Sequence, residues 1–530
     1  MTEKEIIEDD AKIGKDVIES LTLGMYEDCR FIFREYIQNA ADQVDKAVKM
    51  SLLEKGADEI HIQIDRDKRI ITVEDNATGI PQNRVMPILR NVAHSTKTRG
   101  VDKGFRGIGR LGGLGYCSKL IFVTSYAGED VKSIMTWDAD LLKLIINDRD
   151  NDAEAKDVLM AVTDIRTEKE EISEHYFKVI LEDITSDDLL DIDGVRDYLS
   201  MVAPVDIDSK FIYRNKINQY MKEHGLTVDT YNIFINGEQI YKPYTNYIYE
   251  DNHGGKKQVD DILGVEFLMG KDQNDNIIYW GWYSLSRLNG QMKPKNIARG
   301  IRLRKENIQI GDEEICKKFF SKTEDQRFSF YYFGEIHAVS KDLIPNSRRD
   351  YFGENSACTD FERRIKDDFL KLKDICYQAQ KIRSSAKVLA KGDELRQTIQ
   401  TKNKTGYTSQ EERKKIERQY DEIQKKAAQA ELALANAKRK ISETNSPLKD
   451  ILDKLGPEQS ASRQPENPSR KTLPPHPQKT KFRTDAPIYS RYTKQEKKLI
   501  GKIYASIGNA VADERQREAL ISKIEEDITR

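Results

Sequence analysis

The chain has no excess of either charge: 87 lysines and arginines stand against 89 aspartates and glutamates in 530 residues, a formal net charge of -2. That balance excludes a whole-chain basic field that would draw the protein onto nucleic acid, while leaving room for a local basic patch. Cysteine is scarce, and Cys29, Cys117, Cys316, Cys358 and Cys376 lie far apart. With no close pair, neither a zinc knuckle nor a redox dithiol can be read, and reduced thiols in a cytoplasmic protein are the expectation. No apolar run approaches the ~20 residues that cross a bilayer, so no membrane partner is expected. The opening MTEKEIIEDDAKIGKDVIESL is acidic and lacks an apolar core, so no secretory signal is expected there. Hydrophobic residues reach only 38% and charged residues 33%, a polar balance that implies long solvated helices or linkers beside ordinary cores.

What is present is patterned. Residues 28–50 carry an apolar stripe at helical spacing, Phe33, Ile37, Ala40, Val44 and Val48. Alternation then predicts strands at Ile60–Ile64, Ile70–Val73, Lys119–Ser125 and Ser133–Trp137, with a turn at Ala127–Asp130. This order predicts an α+β fold, a helical layer on a mixed sheet, over residues 1–205. Residues 206–390 read as a second, α/β region, with aromatic-rich strands at Tyr231–Asn236, Trp280–Leu285 and Phe328–Ile336 and a helix over Asp360–Ser384. Residues 391–445 read as a helical or coiled-coil segment, on the seam Ile416, Tyr420, Ile423, Ala427, Ala430, Leu434, Ala437 and Ile441. Eight of the fourteen prolines fall in 446–492, so 446–491 reads as a flexible linker. Residues 492–530 read as a charged helical tail, with Leu499, Ile503, Ile507 and Val511 on one face. So short a module is expected to pack on a partner or a second copy.

Three motifs carry chemistry. On the first helix Glu35, Asn39 and Asp42 are spaced i, i+4, i+7 and share a face. A carboxylate one turn from an amide can orient water while the amide oxygen ligates Mg²⁺. In Val73-Glu-Asp75-Asn-Ala-Thr-Gly79, a carboxylate can accept a hydrogen bond from an exocyclic amine such as that of adenine, and a glycine lets the backbone approach a flat ring. From Gly104 to Gly115, six of twelve residues are glycine, so successive amides can face one anion, with Arg106 and Arg110 to supply positive charge. Each motif alone has an ordinary structural reading: a solvated stripe, a strand-to-turn, a flexible loop.

Together and in this order, the three motifs resemble the gyrase, heat-shock protein 90, histidine-kinase and MutL ATPase superfamily. Within it, Arg34–Lys46, Lys119–Ser125, Arg299–Arg304, Phe333–Ala338 and Leu343–Asp350 are similar to segments of the heat-shock protein 90 branch. The resemblance covers roughly residues 10–390. It implies a Bergerat-type sandwich that uses ATP and Mg²⁺. Under it Glu35 is the general base and Asn39 the Mg²⁺ ligand. Asp42 belongs to the nucleotide site. Asp75 binds the adenine amine, with Gly79 beneath the ring and Thr124 on the adenine side. Backbone from Gly109 through Arg110, Gly112 and Gly113 to Gly115 holds the phosphates. Residues 81–103 form an ATP lid containing Ser95. Arg349 reaches the γ-phosphate, with Arg348 as its rival should the alignment slip by one. The chain also departs from the family. Ala77 stands where the second motif has its first glycine, the glycine loop is one residue longer, and nothing beyond about residue 390 resembles the family's dimerisation domain.

The function implied is a Mg-dependent ATPase whose lid closure and domain docking act on a protein client or effector. The C-terminal helices offer a route to a homodimer. A nucleic-acid clamp of the MORC or MutL kind is the alternative, on the basic stretch Lys293–Lys305. A scaffold that binds ATP without hydrolysis is a third, against which Glu35 weighs. A histidine kinase is not expected, since the first histidine is His61.

Overall fold

The computed structural model describes residues 13–22, 28–92, 109–148, 150, 152–252, 255–444, 446–455, 489–511 and 514–529. Ser95, Arg106, the lid from residue 93 onward and most of the proline-rich linker lie outside them. The chain divides into two compact units, Met1–Lys373 and Asp374–Arg530.

The first unit opens with helices α1 (Asp16–Thr22) and α2 (Phe31–Lys49), strands β1 (Ile60–Asp65) and β2 (Ile70–Asp75), and α3 (Gln82–Leu89). After a 3₁₀ segment at Gly109–Gly115 come β3 (Lys119–Ser125), β4 (Val131–Asp138), α4 (Ala139–Asn147), α5 (Ala155–Ala161), β5 (Thr163–Lys169), β6 (Tyr176–Glu182), α6 (Ile192–Val202) and α7 (Arg214–Glu223). Short strands β7 (Ile233–Ile235) and β8 (Glu238–Gln239) complete an eight-stranded sheet in the order β5-β4-β3-β6-β2-β1-β7-β8. All its pairs are antiparallel except β1–β7, so the sheet is mixed, as the element order predicts.

Strand alternation makes the core. Ile71, Val73, Leu120, Phe122, Val179 and Leu181 point to one face and are buried there with Phe33, Ile37, Ala40 and Val44 of α2. That is the stripe read from the sequence. The core covers more of α2 than its stripe, because Phe31, Ile32, Tyr36, Ala41 and Ala47 are buried as well.

A hairpin of β9 (Tyr247–Asn252) and β10 (Gly255–Asp261) follows. Next comes a five-stranded sheet in the order β11-β12-β15-β13-β14, built from β11 (Gly264–Lys271), β12 (Ile277–Leu285), β13 (Gly300–Lys305), β14 (Ile308–Ile310) and β15 (Phe333–Ala338). The strand expected over Phe328–Ile336 starts later, because Thr323–Tyr331 forms a 3₁₀ segment.

The second unit contains most of α8 (Ser356–Thr405), all of α9 (Gln410–Glu443), a 3₁₀ segment at Pro447–Lys454, α10 (Lys494–Ala510) and α11 (Glu514–Thr529). Here α8 and α9 fold back as a helical hairpin. A Cβ at Gly392 would lie 3.3 Å from Ile423, and Ser446 meets Gln378 at 3.4 Å. In the tail, Ile500, Tyr504 and Ile521 pack with Tyr489, while Leu499 and Ile503 are exposed. Of the expected apolar face, Ile507 packs inward, whereas Leu499 and Ile503 give way to their C-terminal neighbours Ile500 and Tyr504.

Candidate nucleotide site

The polar site lies where the core face of the first sheet ends. The alternation that buries Ile71 and Val73 puts Asp75 on the same face, at the end of β2, with 3% exposure. Phe177 of β6 is paired with Asp75 on one side and with Thr124 of β3 on the other. A carboxylate and a hydroxyl thus sit at one level, flanking an aromatic ring.

The turn after Asp75 is clasped from three directions. The Asp75 carboxylate accepts the Ala77 N–H at 3.1 Å. Thr124 Oγ1 accepts the Ile80 N–H at 2.8 Å and donates to the Tyr176 carbonyl at 3.0 Å. His175 Nδ1 lies 2.7 Å from the Ala77 carbonyl, which can only accept, so this nitrogen carries the proton. The buried Thr78 hydroxyl has Gln43 Oε1 at 2.9 Å and the Gly79 carbonyl at 3.0 Å. Gly79 has φ +64, and a Cβ there would stand 1.8 Å from the Ser125 carbonyl oxygen. Only glycine fits both demands.

Glu35, Asn39 and Asp42 lie along α2, Glu35 and Asn39 half-buried and Asp42 buried. Gln43 continues the same face one turn beyond Asn39, so the helix itself holds the turn that follows Asp75. The glycine segment meets α2 at its other end. A Cβ at Gly109 would be 2.1 Å from the Glu35 carboxylate, one at Gly112 would be 2.7 Å from the Phe31 ring, and one at Gly113 would be 2.5 Å from the Tyr36 hydroxyl. Gly112 and Gly113 are therefore small so that the segment can lie against the helix; Gly115 ends it, half-buried. Arg110 donates to the Asn91 carbonyl, and burial lowers its pKa to about 10.

Residues 348 and 349, far off in sequence, come to this same helix. Arg34 lies 3.5 Å from the Glu35 carboxylate and donates to the Arg348 carbonyl at 3.4 Å. Arg349 is buried, and its φ of 55 places it in the left-handed region, which costs a non-glycine residue about 1 kcal/mol or more. Arg348 is exposed. A cleft of about 750 Å³ opens here between the start of α2, α6 and the second sheet. Arg30, Arg34, Arg299, Arg302, Arg348 and Arg349 line it, opposed by Asp28, Asp197, Asp312, Glu313 and Asp350. Much of this charge is internally paired: Arg30 with Asp28 at 2.9 Å, and Arg299 and Arg302 with Glu313 at 3.2 and 3.6 Å.

The structure thus gathers Glu35, Asn39, Asp42, Asp75, Gly79, Thr124 and Gly109–Gly115 around one helix and one sheet end, with the arginine segment beside them. The sequence reading gave no role to Arg34, Gln43, Thr78 or His175. Gln43 had a signal, since it extends the i, i+4 ladder from Glu35 and Asn39; His175 had none. Among the described residues no cluster of three histidines, cysteines or acids could hold a metal by itself. The donor set on α2, one amide and nearby carboxylates, fits a Mg²⁺ that keeps other ligands from nucleotide and water.

Residues 31–170 match the family model described as histidine kinase-, DNA gyrase B- and HSP90-like ATPase. Chaperone protein HtpG of Anaplasma marginale is 31% identical over 137 residues, which is 23% of this chain and 21% of that protein. The HtpG of Salinispora arenicola is 26% identical over 136 residues, 22% of this chain and 21% of its own length. That of Shigella dysenteriae is 27% identical over 143 residues, 24% and 23% of the two chains. The matched stretch thus spans about a fifth of the length of these relatives. The similarity to histidine kinase-, DNA gyrase B- and HSP90-like ATPases is thus carried by residues 31–170.

Proposed function

We propose that this chain is a Mg-dependent ATPase of the heat-shock protein 90 type that acts on a protein client or effector. The observation that carries the reading is the bridge at Arg34, which touches both the Glu35 carboxylate and the carbonyl of Arg348. It brings the base and the arginine segment to one place.

In this reading residues 1–205 bind nucleotide and 206–390 supply the arginine. Asp75 accepts the adenine amine, with Gly79 and Thr124 shaping the floor. Asn39 holds Mg²⁺, which when bound neutralises charge on the phosphate oxygens, and Asp42 supports it. The Gly109–Gly115 backbone and Arg110 hold the phosphates, and the lid with Ser95 closes over them. Glu35 takes the proton of the attacking water. Arg349, or Arg348 in its place, stabilises the negative charge that develops during transfer. The C-terminal helices and the protein's site of action, cytoplasmic in this reading, belong to the same proposal. No helix among the described residues is long and apolar enough to cross a membrane.

The test compares wild type, Glu35→Ala and Arg349→Ala for ATP binding and for Mg-dependent hydrolysis. Glu35→Ala is expected to bind ATP and lose turnover by about 100-fold or more, the scale of general-base catalysis. Arg349→Ala is expected to bind and to lose turnover also. A wild type that binds no ATP would overturn the reading, and one that binds without turnover would favour the scaffold. The nucleic-acid clamp is the less favoured reading, because most of the basic stretch is buried or paired with acids. Arg302, Arg304 and Lys305 are buried, and Lys295 and Arg299 are paired with Asp251 and Glu313.

A further inference from the structure

The hairpin between β13 and β14 turns through Glu306 and Asn307, both in left-handed backbone at φ 53 and 62. Such two-residue tips ordinarily project into water. This one is buried, with Asn307 1% exposed. The Asn307 amide donates to the carbonyls of Asp229 at 2.8 Å and Val205 at 3.4 Å, in the chain that leads from α6 to β7. Its Oδ1 accepts from Lys242 Nζ at 2.5 Å. Arg304, fully buried, donates to the Asn307 carbonyl at 2.9 Å and to that of Met201, within α6, at 2.6 Å. The hairpin tip is plugged between α6 and the loops that flank β7 and β8.

The other end of the hairpin bears on the arginine segment. β14 runs for three residues, Ile308–Ile310, and the next N–H, that of Gly311, donates to the Arg349 carbonyl at 2.8 Å. Gly311 has φ +66, and a Cβ there would stand 2.9 Å from the Asp350 carbonyl oxygen, so the two backbones are in close contact.

We propose that Asn307 is a positioning residue for Arg349. The plugged tip fixes, through β14 and Gly311, where residues 348 and 349 meet the helix face that bears Glu35. A three-residue strand paired along one edge is a short, stiff strut, so a shift at its tip is passed on to its end. The idea rests on the reading of Glu35 and Arg349 as a catalytic pair. A displacement of about 1 Å in such a pair can cost about 100-fold in rate.

Asn307→Gly in the full chain tests it, because glycine adopts the left-handed turn freely and only the side-chain bonds are lost. The expected result is an ATP Kd within about twofold of wild type, while kcat falls about 10- to 100-fold. Hydrogen exchange should accelerate at residues 346–350 and stay unchanged in β1 and β2. In an Arg349→Ala background the substitution should cost no further turnover. Unaltered exchange at 346–350, or unaltered kcat, overturns the proposal. If wild type proves inactive, the functional reading fails by itself, and exchange at 346–350 still decides the strut. If Asn307→Gly does not fold, Gly311→Ala, which breaks the strut at its far end, is held to the same criteria.

Discussion

Gly79 shows how much a single residue decides at this site. Its φ of +64 disfavours any L side chain, and the Ser125 carbonyl occupies the space a Cβ would need. Gly79→Ala is therefore expected to cost about 2–4 kcal/mol, the left-handed penalty plus an overlap that only a backbone shift relieves. Because that shift moves the turn carrying Asp75, ATP affinity should fall as well. Urea unfolding and ATP titration of the variant check both, and wild-type stability would show that the turn yields more easily than its geometry says. Asp75→Asn is the complementary case. It keeps the shape but replaces one acceptor oxygen by a donor, so it should weaken ATP binding by at least about tenfold, the worth of one hydrogen bond to a charged group, with little change in stability. Residues such as Asp75 and Gly79 were legible in the sequence because a fixed spacing ties each to a chemical task. His175 and Arg34 were not, because they act through contacts with carbonyls and carboxylates that only the fold brings near.

Elements were legible where one face is wet. β1 and β2 alternate in burial, and α2 repeats every three to four residues, so pattern found them. β13 and β15 are buried at every position, which erases alternation and explains why the strand at Phe328–Ile336 was misplaced. The helix expected over Asp360–Ser384 extends to Thr405, across a Gly392 that propensity would make a breaker. The close approach of Ile423 supplies the reason for that glycine. At the turn between α8 and α9, Ser409 caps the second helix by accepting the Glu412 N–H at 3.1 Å. Glu412 reaches one residue past the usual capping box, accepting from the Thr408 N–H at 2.8 Å and its hydroxyl at 2.7 Å, and pairing with Lys402. Partial burial opposes its charge, but Lys402 and Thr408 outweigh this and hold its pKa near 2. A carboxylate depressed in the fold contributes stability above its ordinary pKa of 4.5 and loses it as pH falls toward about 2. Glu412→Gln should thus destabilise the helical hairpin by about 1–2 kcal/mol at pH 7. The gap from wild type should close in acid, as thermal melts from pH 7 down to 2.5 would show. A gap independent of pH would mean that shape, not charge, holds the turn.

At the scale of the first unit, two sheets share one buried charged cluster. Glu335 of β15 forms ion pairs with Lys242 at 3.0 Å and Arg304 at 2.6 Å, accepts from the Tyr244 hydroxyl at 2.9 Å and faces His337 at 3.0 Å. Lys242 follows directly from the strands that complete the first sheet, so the cluster joins that sheet to the second. Burial opposes the charge on Glu335, but Arg304 and Lys242 hold its pKa well below the ordinary carboxylate range, and burial keeps His337 below its usual value. With His337 neutral, two cations face one anion, so a positive charge is left over. Lys242 bears the consequence: burial first, then Arg304, lower its pKa from 10.5 to about 8, against the pull of Glu335 and Asp206. For a base depressed in the fold, the unfolded chain binds more protons between the two values, so stability rises with pH across that window. Wild type should therefore gain on Lys242→Met by up to about 2 kcal/mol between pH 8 and pH 10. The comparison with the variant cancels the buried tyrosines, whose raised pKa values act in the opposite direction at the top of the range. Urea unfolding at pH 7, 8, 9 and 10 gives the difference directly. A difference that stays flat would mean that Lys242 keeps its proton throughout and that the excess charge is neutralised elsewhere. A rising difference would show that the fold disfavours the proton on Lys242, so that pH acts on stability through the cluster that joins the two sheets.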